Sequence, residues 1–263
     1  MAALPTVFVP HGAPTFALDP GPAGAALADV ARRIGRPKAI LVVSAHWDTP
    51  YAAVGAALRP ETIHDFWGFP EPLYSLRYPA PGSAALATDA RAAIEDAGFV
   101  ADLDVSRGLD HGAWIPLCLM YPDADIPVVP VSIQSQLGTK HHYRLGQALA
   151  PLRGQGVLIL ASGNITHNLR DFQRLMAPGA EIPAYVREFP AWFGDRLAHQ
   201  DTAALLNYRD MAPGARQAHP ADDHLLPFYV ALGAAGEGYR AERCCDAVYD
   251  RMLAMDSYVF WAD

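Results

Sequence analysis

The chain of 263 residues is predicted to fold as α/β, a single domain with a central, mostly parallel (mixed) sheet flanked by helices and a metal site at the strand ends. Three observations predict it. Apolar, β-branched runs such as Thr6–Pro10 (TVFVP), Ala39–Ser44 (AILVVS) and Val157–Ser162 (VLILAS) carry the continuous pattern of strands covered on both faces. Segments of helical composition alternate with them, the order of strand–helix–strand units. Five histidines sit in short, separated motifs read as each ending a hydrophobic run: His11 (FVPHGAP), His46 (LVVSAHW), His111 (GLDHGAW), His167 (LASGNITHN) and His224 (ADDHLLP). Open α/β sheets collect their ligands just past the carboxyl ends of strands.

Taken in order, Thr6–Pro10 is a short buried strand that delivers His11 and Gly12. Ala23–Ile34 is a helix closed by Gly35, with Pro37 just beyond. Ala39–Ser44 is a strand with His46 and Trp47 after it, and Tyr51–Leu58 reads as another. Arg59–Ser83 is a long irregular stretch rich in proline, glycine and aromatics, the character of a lid or binding loop. Ala84–Ala97 is a helix ended by Gly98, and Phe99–Asp104 a strand leading to the GLDHG turn and a helix near Trp114–Met120. In the strand Ile126–Ile133, Pro127 and Pro130 predict an edge position or a bulge. His141–Leu152 is a helix, and Ala184–Ala198 is another whose Val186, Phe189, Phe193 and Leu197 share one face; His141, His142 and His199 are expected on helix surfaces without a role. Leu225–Gly233 is an apolar helix and Ser257–Trp261 a final strand. No repeat or low-complexity linker interrupts the chain, so residues 1–263 read as one catalytic domain.

Composition narrows the function. With 51% hydrophobic and 18% charged residues the chain can build a substantial core, which excludes a disordered protein. A net charge of -8 without a lysine or arginine cluster speaks against nucleic acid. The first apolar run has no basic flank and is too short to span a bilayer, so no membrane segment is expected. Three cysteines, two of them adjacent at Cys244 and Cys245, make a poor disulfide framework and suit reduced thiols in a cytoplasmic protein. A monomer or small homo-oligomer is expected.

The histidine motifs carry the chemistry. Imidazole is the commonest protein ligand for iron, zinc and copper, so several strand ends delivering it to one region make a metal site. Gly12 lets the backbone pass close to a ligand beside His11. His167 follows a strand at a predicted helix start, where Asn164 or Thr166 would cap and the helix dipole would keep the ring neutral. It can therefore serve as ligand or general base. His224 is the favoured ligand of the ADDH turn, with Asp223 as a weaker substitute. His111, beside Asp110 and between Gly108 and Gly112, is a candidate proton carrier, against the simpler alternative of a turn histidine bonded to Asp110. His64 and Trp67 lie in the lid and are candidate substrate contacts, although His64 suits a surface position equally well. The signatures GxGxxG, Walker A, GxSxG, CxxC and HExxH are all missing.

At these residues the chain resembles a known family. HGAP (11–14), SAHW (44–47), TIHDFWGFP (62–70), YPAPGS (78–83), GLDHGAW (108–114), SGNITHNLR (162–170) and DDHLLPFYVALGA (222–234) are similar to the DOPA-extradiol-dioxygenase-like members of the class III extradiol ring-cleavage dioxygenases, the LigB superfamily. The resemblance runs nearly the whole chain. It implies a non-haem Fe(II) enzyme, or one holding Zn(II), with the metal on His11, His46 and His224. It further implies that His167 acts as fourth ligand or acid/base, that His111 is a second acid/base or substrate contact, and that the partners are a small aromatic diol and O2. His224 stands where classical members carry a glutamate, which turns a two-histidine, one-carboxylate set into an all-nitrogen one. Arg77, Arg170 and Arg216 are the cations able to receive a substrate carboxylate. A zinc hydrolase and a non-catalytic metal-binding member of the superfamily are the alternatives.

Overall fold

Alternating side chains along the central strands sort the core into two layers. Val7, Val9, Ile40, Val42, Leu158 and Leu160 face one way, whereas Phe8, Leu41, Val43, Ile159 and Ala161 face the other. Every one of them is buried, as expected of strands with helices on both faces. The computed structural model describes residues 3–262. Positions 1–2 and 263, the ends of the span expected as one domain, lie outside the described residues.

The strands are β1 (Thr6–Pro10), β2 (Ala39–Asp48), β3 (Ala52–Gly55), β4 (Ala101–Asp104), β5 (Val128–Ile133), β6 (Val157–Gly163), β7 (Arg240–Cys245), β8 (Val248–Tyr249), β9 (Leu253–Ala254) and β10 (Ser257–Trp261). All but β8 and β9 form one eight-stranded sheet of order β4-β3-β5-β2-β6-β1-β10-β7; β8 and β9 make a separate hairpin. The run β5-β2-β6-β1 is parallel, while β10 and β7 add antiparallel strands on one side and β3 meets β5 antiparallel on the other. The longer helices are α1 (Gly21–Ile34), α2 (Ala84–Asp96), α3 (His111–Met120), α4 (Gly138–Leu149), α5 (Tyr185–Ala198) and α6 (Leu226–Ala235). Helices α1 and α3 cover one face, and α2, α4, α5 and α6 the other. Among the described residues no helix is long and apolar enough to cross a membrane.

Local chemistry explains the boundaries. The Ser83 hydroxyl accepts from the Leu86 N–H to cap α2, and the Asp110 carboxylate accepts from the Ala113 N–H to cap α3. Gly35, at φ 79°, ends α1 in a conformation that favours glycine.

Three expectations need correction. Pro130 does not place its strand at an edge, because β5 lies between β3 and β2. Its ring packs on Gly55 of β3, where a Cβ would come within 2.5 Å, and β3 and β5 share the single bridge Val54–Val131. The absent N–H therefore costs little ladder. Strand β2 runs to Asp48 rather than Ser44, and its register against β5 slips between Val43 and Asp48. That irregularity re-aims His46, as bulges beside sites commonly do. His142 is buried, not on the surface: its Nδ1 donates to the Gly138 carbonyl (2.7 Å) and its Nε2 accepts from the Gln134 N–H (3.1 Å).

The antiparallel edge is tied to α1. Both Arg33 guanidinium nitrogens donate to Glu242 of β7 (2.7 and 2.6 Å), and Trp261 Nε1 donates to the same carboxylate (2.9 Å). The hydrogen bond from Arg33 holds Glu242 down to about 2, against an ordinary 4.5, despite an opposing effect of burial. A depressed acid stabilises the fold above its unfolded pKa and loses that contribution as pH falls through the folded one. Glu242→Gln is therefore expected to lower stability at pH 7 by about 0.5–1 kcal/mol. In denaturant titrations the gap to the unaltered protein should close between pH 4.5 and 2. A gap independent of pH would contradict this.

Candidate metal centre

Strands β1 and β2 bring His11 and His46 to the same end of the sheet, and the turn before α6 brings His224 there from the covering layer. His46 Nε2 lies 3.1 Å from His11 Nε2 and 3.2 Å from His224 Nε2. The opposite nitrogen of each ring faces an acceptor. His11 Nδ1 is 3.0 Å from Ser162 Oγ, and that hydroxyl spends its own proton on the Gly112 carbonyl. His224 Nδ1 is 2.6 Å from Asp223 Oδ2, and His46 Nδ1 is 3.5 Å from Asp65 Oδ2. These partners hold the protons of His11 and His224 on Nδ1, so both rings turn an Nε2 lone pair toward Nε2 of His46. Two nitrogens binding one ion at about 2.1 Å stand roughly 3.0–3.4 Å apart at angles of 90–110°, so the observed spacing fits a shared ion.

Burial lowers the pKa of all three rings: His11 and His224 fall well below the usual 6.5, helped by the charge of His46, and His46 falls to about 4, helped by the charge of His111 and opposed by Asp110, Asp65 and Asp223. Neutral imidazole is the form that binds metal.

Two backbone features build this arrangement. Pro116 lies inside α3 and has no N–H to give the Gly112 carbonyl one turn earlier. That freed carbonyl takes the Ser162 proton, and Ser162 in turn fixes His11. A Cβ on Gly112 would come within 2.5 Å of Ser44 Oγ and 3.0 Å of His46 Cδ2. At the end of β6, a Cβ on Gly163 would come within 2.1 Å of the His224 carbonyl, while the neighbouring Asn164 N–H donates to that carbonyl (2.9 Å). Gly163→Ala therefore has to displace the His224 backbone. It is expected to destabilise by about 1–3 kcal/mol and to weaken metal binding, read by thermal melts and a zinc titration. An unchanged titration would contradict this placement of His224.

The remaining histidines divide. His111, at the first turn of α3, offers a ring nitrogen grouped with those of His11 and His46 within 4.8 Å. Its backbone N–H and its Nδ1 both bond to Asp65 Oδ1 (2.9 and 3.0 Å). Burial pushes Asp65 up, but the hydrogen bond and charge of His111 outweigh it and hold the carboxyl at about 2. Asp65 escaped the sequence analysis; it stands next to His64 in an irregular loop where no periodicity marks it. Asp110, offered as the partner of His111, instead caps α3, accepts from Ser44 Oγ (2.5 Å) and pairs with Arg107.

His167 does not begin a helix. Asn164 Oδ1 accepts from the Gly12 N–H and Thr166 Oγ1 donates to the Met252 carbonyl, so neither caps, and Asn168 starts a short 3-10 turn at Leu169–Asp171. Burial, then the charge of His224, lowers its pKa well below 6.5, so no helix dipole is needed to keep it neutral. Its ring stacks on His224, centroids 3.4 Å apart and planes 8° from parallel.

A cavity of 590 Å³ opens above these rings, lined by His46, His111, His167, His224, Asp65, Gly12 and Ala13 together with an apolar wall. From the lid come Phe66, Trp67 and Phe69; across from them lie Leu169, Phe172, Met176, Met252 and Leu253. Trp67 is 86% exposed at the rim. His64 is not in the lining; its Nε2 donates to the Leu76 carbonyl (3.1 Å) and its ring packs among Phe66, Tyr74 and Trp114. Arg77, Arg170 and Arg216 are absent from it too. The lid is pinned at its root, where the Ile63 and Leu109 N–H groups donate across to Leu109 and Glu61 carbonyls and Trp114 Nε1 donates to the Ile63 carbonyl.

Comparison with known proteins bears on this geometry. The profile of a family described as the catalytic LigB subunit of aromatic ring-opening dioxygenase matches residues 6–260. A 4,5-DOPA dioxygenase extradiol of Beta vulgaris is 41% identical over 260 residues, covering 97% of this chain and 96% of its own. A protein of the same description from Escherichia coli strain K12 is 38% identical over 237 residues, 88% of this chain and 85% of its own. A crystal structure of an uncharacterized Escherichia coli K12 protein superposes with a TM-score of 0.81 at 31% identity, covering 97% of this chain and 99% of that one.

Proposed function

Because the chain belongs to the LigB family of aromatic ring-opening dioxygenases and is a metal-dependent extradiol dioxygenase, we propose that it acts as one catalytic domain on a DOPA-like substituted catechol, with Fe(II) on His11, His46 and His224. The observation that carries this reading is the approach of His11 Nε2 and His224 Nε2 to Nε2 of His46, at 3.1 and 3.2 Å, with a hydroxyl or a carboxylate behind each ring. Such outer partners orient ligating imidazoles and fix their tautomers. An imidazole set without thiolate suits iron and zinc alike, and the O2 reaction favours iron because zinc is not redox-active. Bound there, the ion supplies the Lewis acidity that ionises a catechol hydroxyl and the redox activity a reaction with O2 needs.

The protein's own groups do the rest. An imidazole binds an ion in its own ring plane, and parallel rings 3.4 Å apart do not aim at one point. This supports His167 as a base rather than a fourth ligand: neutral and bordering the cavity, it takes the second hydroxyl proton. His111 holds its Nδ1 proton toward Asp65, which leaves Nε2 to move a proton during ring opening, with the carboxylate supporting the imidazolium. Phe66 and Phe69 give a flat ring an apolar cover and keep water from it, and Trp67 stands at the entrance. In this reading His64 supports the lid through Leu76 and does not itself touch substrate.

The test is oxygen uptake by anaerobically Fe(II)-loaded protein with DOPA, protocatechuate and caffeate. Uptake with a yellow ring-opened product, missing from the zinc-loaded form, is expected. No uptake with any catechol at full metal occupancy would overturn the proposal.

A further inference from the structure

The charge of the cavity wall selects among catechols. Its lining contains two carboxylates, Asp65 and Asp250, and neither lysine nor arginine. Asp65 is committed to His111, whereas Asp250 has no hydrogen-bond or ion-pair partner among the described residues. Asp250 sits with Arg251 in the turn between β8 and β9, and both adopt left-handed backbone, φ 50° and 57°. Two adjacent left-handed residues make the turn that asparagine and glycine fill readily, and an aspartate followed by an arginine holds it at a cost. The surroundings keep it there. Arg251 donates to the Leu175 carbonyl (2.6 Å), turning its own charge onto the neighbouring segment, and the Thr166 hydroxyl receives the Ala254 N–H from β9 (2.8 Å). Asp250 thus borders the cavity with an uncommitted carboxylate, in a lining otherwise made of imidazoles, Asp65, Thr15 and apolar side chains.

Resting on the ring-cleavage proposal, we infer that Asp250 is a specificity-determining residue that receives an ammonium group on the substrate's side chain. The preferred substrate class is then a catechol with an alkylammonium arm, ahead of one with a neutral arm and well ahead of one whose arm carries a carboxylate and no ammonium group. A cavity of 590 Å³ is roughly 10 Å across, enough for a ring near the imidazoles with a two-carbon arm reaching the rim. The arm's methylene groups lie against Leu253, Phe172 and Met176. A carboxylate there would meet Asp250 with no cation to offset the repulsion.

The test compares 4-(2-aminoethyl)catechol, 4-ethylcatechol and 3-(3,4-dihydroxyphenyl)propionate on the holoenzyme, by kcat/KM and by calorimetric binding under argon. The amine is expected to exceed 4-ethylcatechol roughly fivefold, the yield of one partly exposed ion pair, with the propionate below both. In Asp250→Asn and Asp250→Gly, which suit the left-handed turn, the amine-to-ethyl ratio should fall to near one in both measurements. An unchanged ratio, or a preference for the propionate in the unaltered protein, would overturn the inference. If no catechol is cleaved, the ring-cleavage proposal fails, and the binding ratio still decides the role of Asp250.

Discussion

His46→Ala is expected to leave the protein folded but without stoichiometric metal, and so without ring-cleaving activity. His46 is the middle ring of the cluster, its Nε2 touching those of both His11 and His224. Removing it leaves the other two without the group that joins them. Loss of a residue that merely supports a ligating histidine already costs about 10–100-fold in metal affinity, and loss of this nitrogen should exceed that. Metal analysis after dialysis, with circular dichroism to confirm the fold, reads the effect. Because burial holds the ring near pKa 4, the unaltered site should keep its metal throughout the neutral range.

His167→Ala should act differently, lowering kcat by about 10²–10⁴, the usual contribution of a positioned acid or base, with metal content held. The stacking on His224 is the reason for separating the two effects. Metal lost together with activity would make His167 a fourth ligand instead.

Much of this is legible in the sequence. Continuous apolar runs mark β1, β2 and β6, and the histidines at or just past their carboxyl ends meet where an α/β sheet collects its ligands. What escaped depended on partners far away in sequence. Asp65 acquires its role through His111, from an irregular loop. Pro116 matters because the carbonyl it leaves free is within reach of Ser162 on another strand. Strand β7, with polar and charged residues on an edge, lacks the apolar run by which the others were found. His142 shares a helical face with Leu145 and Leu149, a spacing that signals burial rather than the surface position expected of it.

In the proposed centre the third ligand is His224, and the competing ligand is His111, whose nitrogen also approaches His11 and His46. The deciding measurement is metal stoichiometry, with X-ray absorption at the metal edge, for His224→Ala beside His111→Ala. Loss of metal in His224→Ala, with full occupancy and an unaltered imidazole signature in His111→Ala, is the predicted result. Metal retained in His224→Ala and lost in His111→Ala would contradict the proposed centre and put the acid/base role on the other ring.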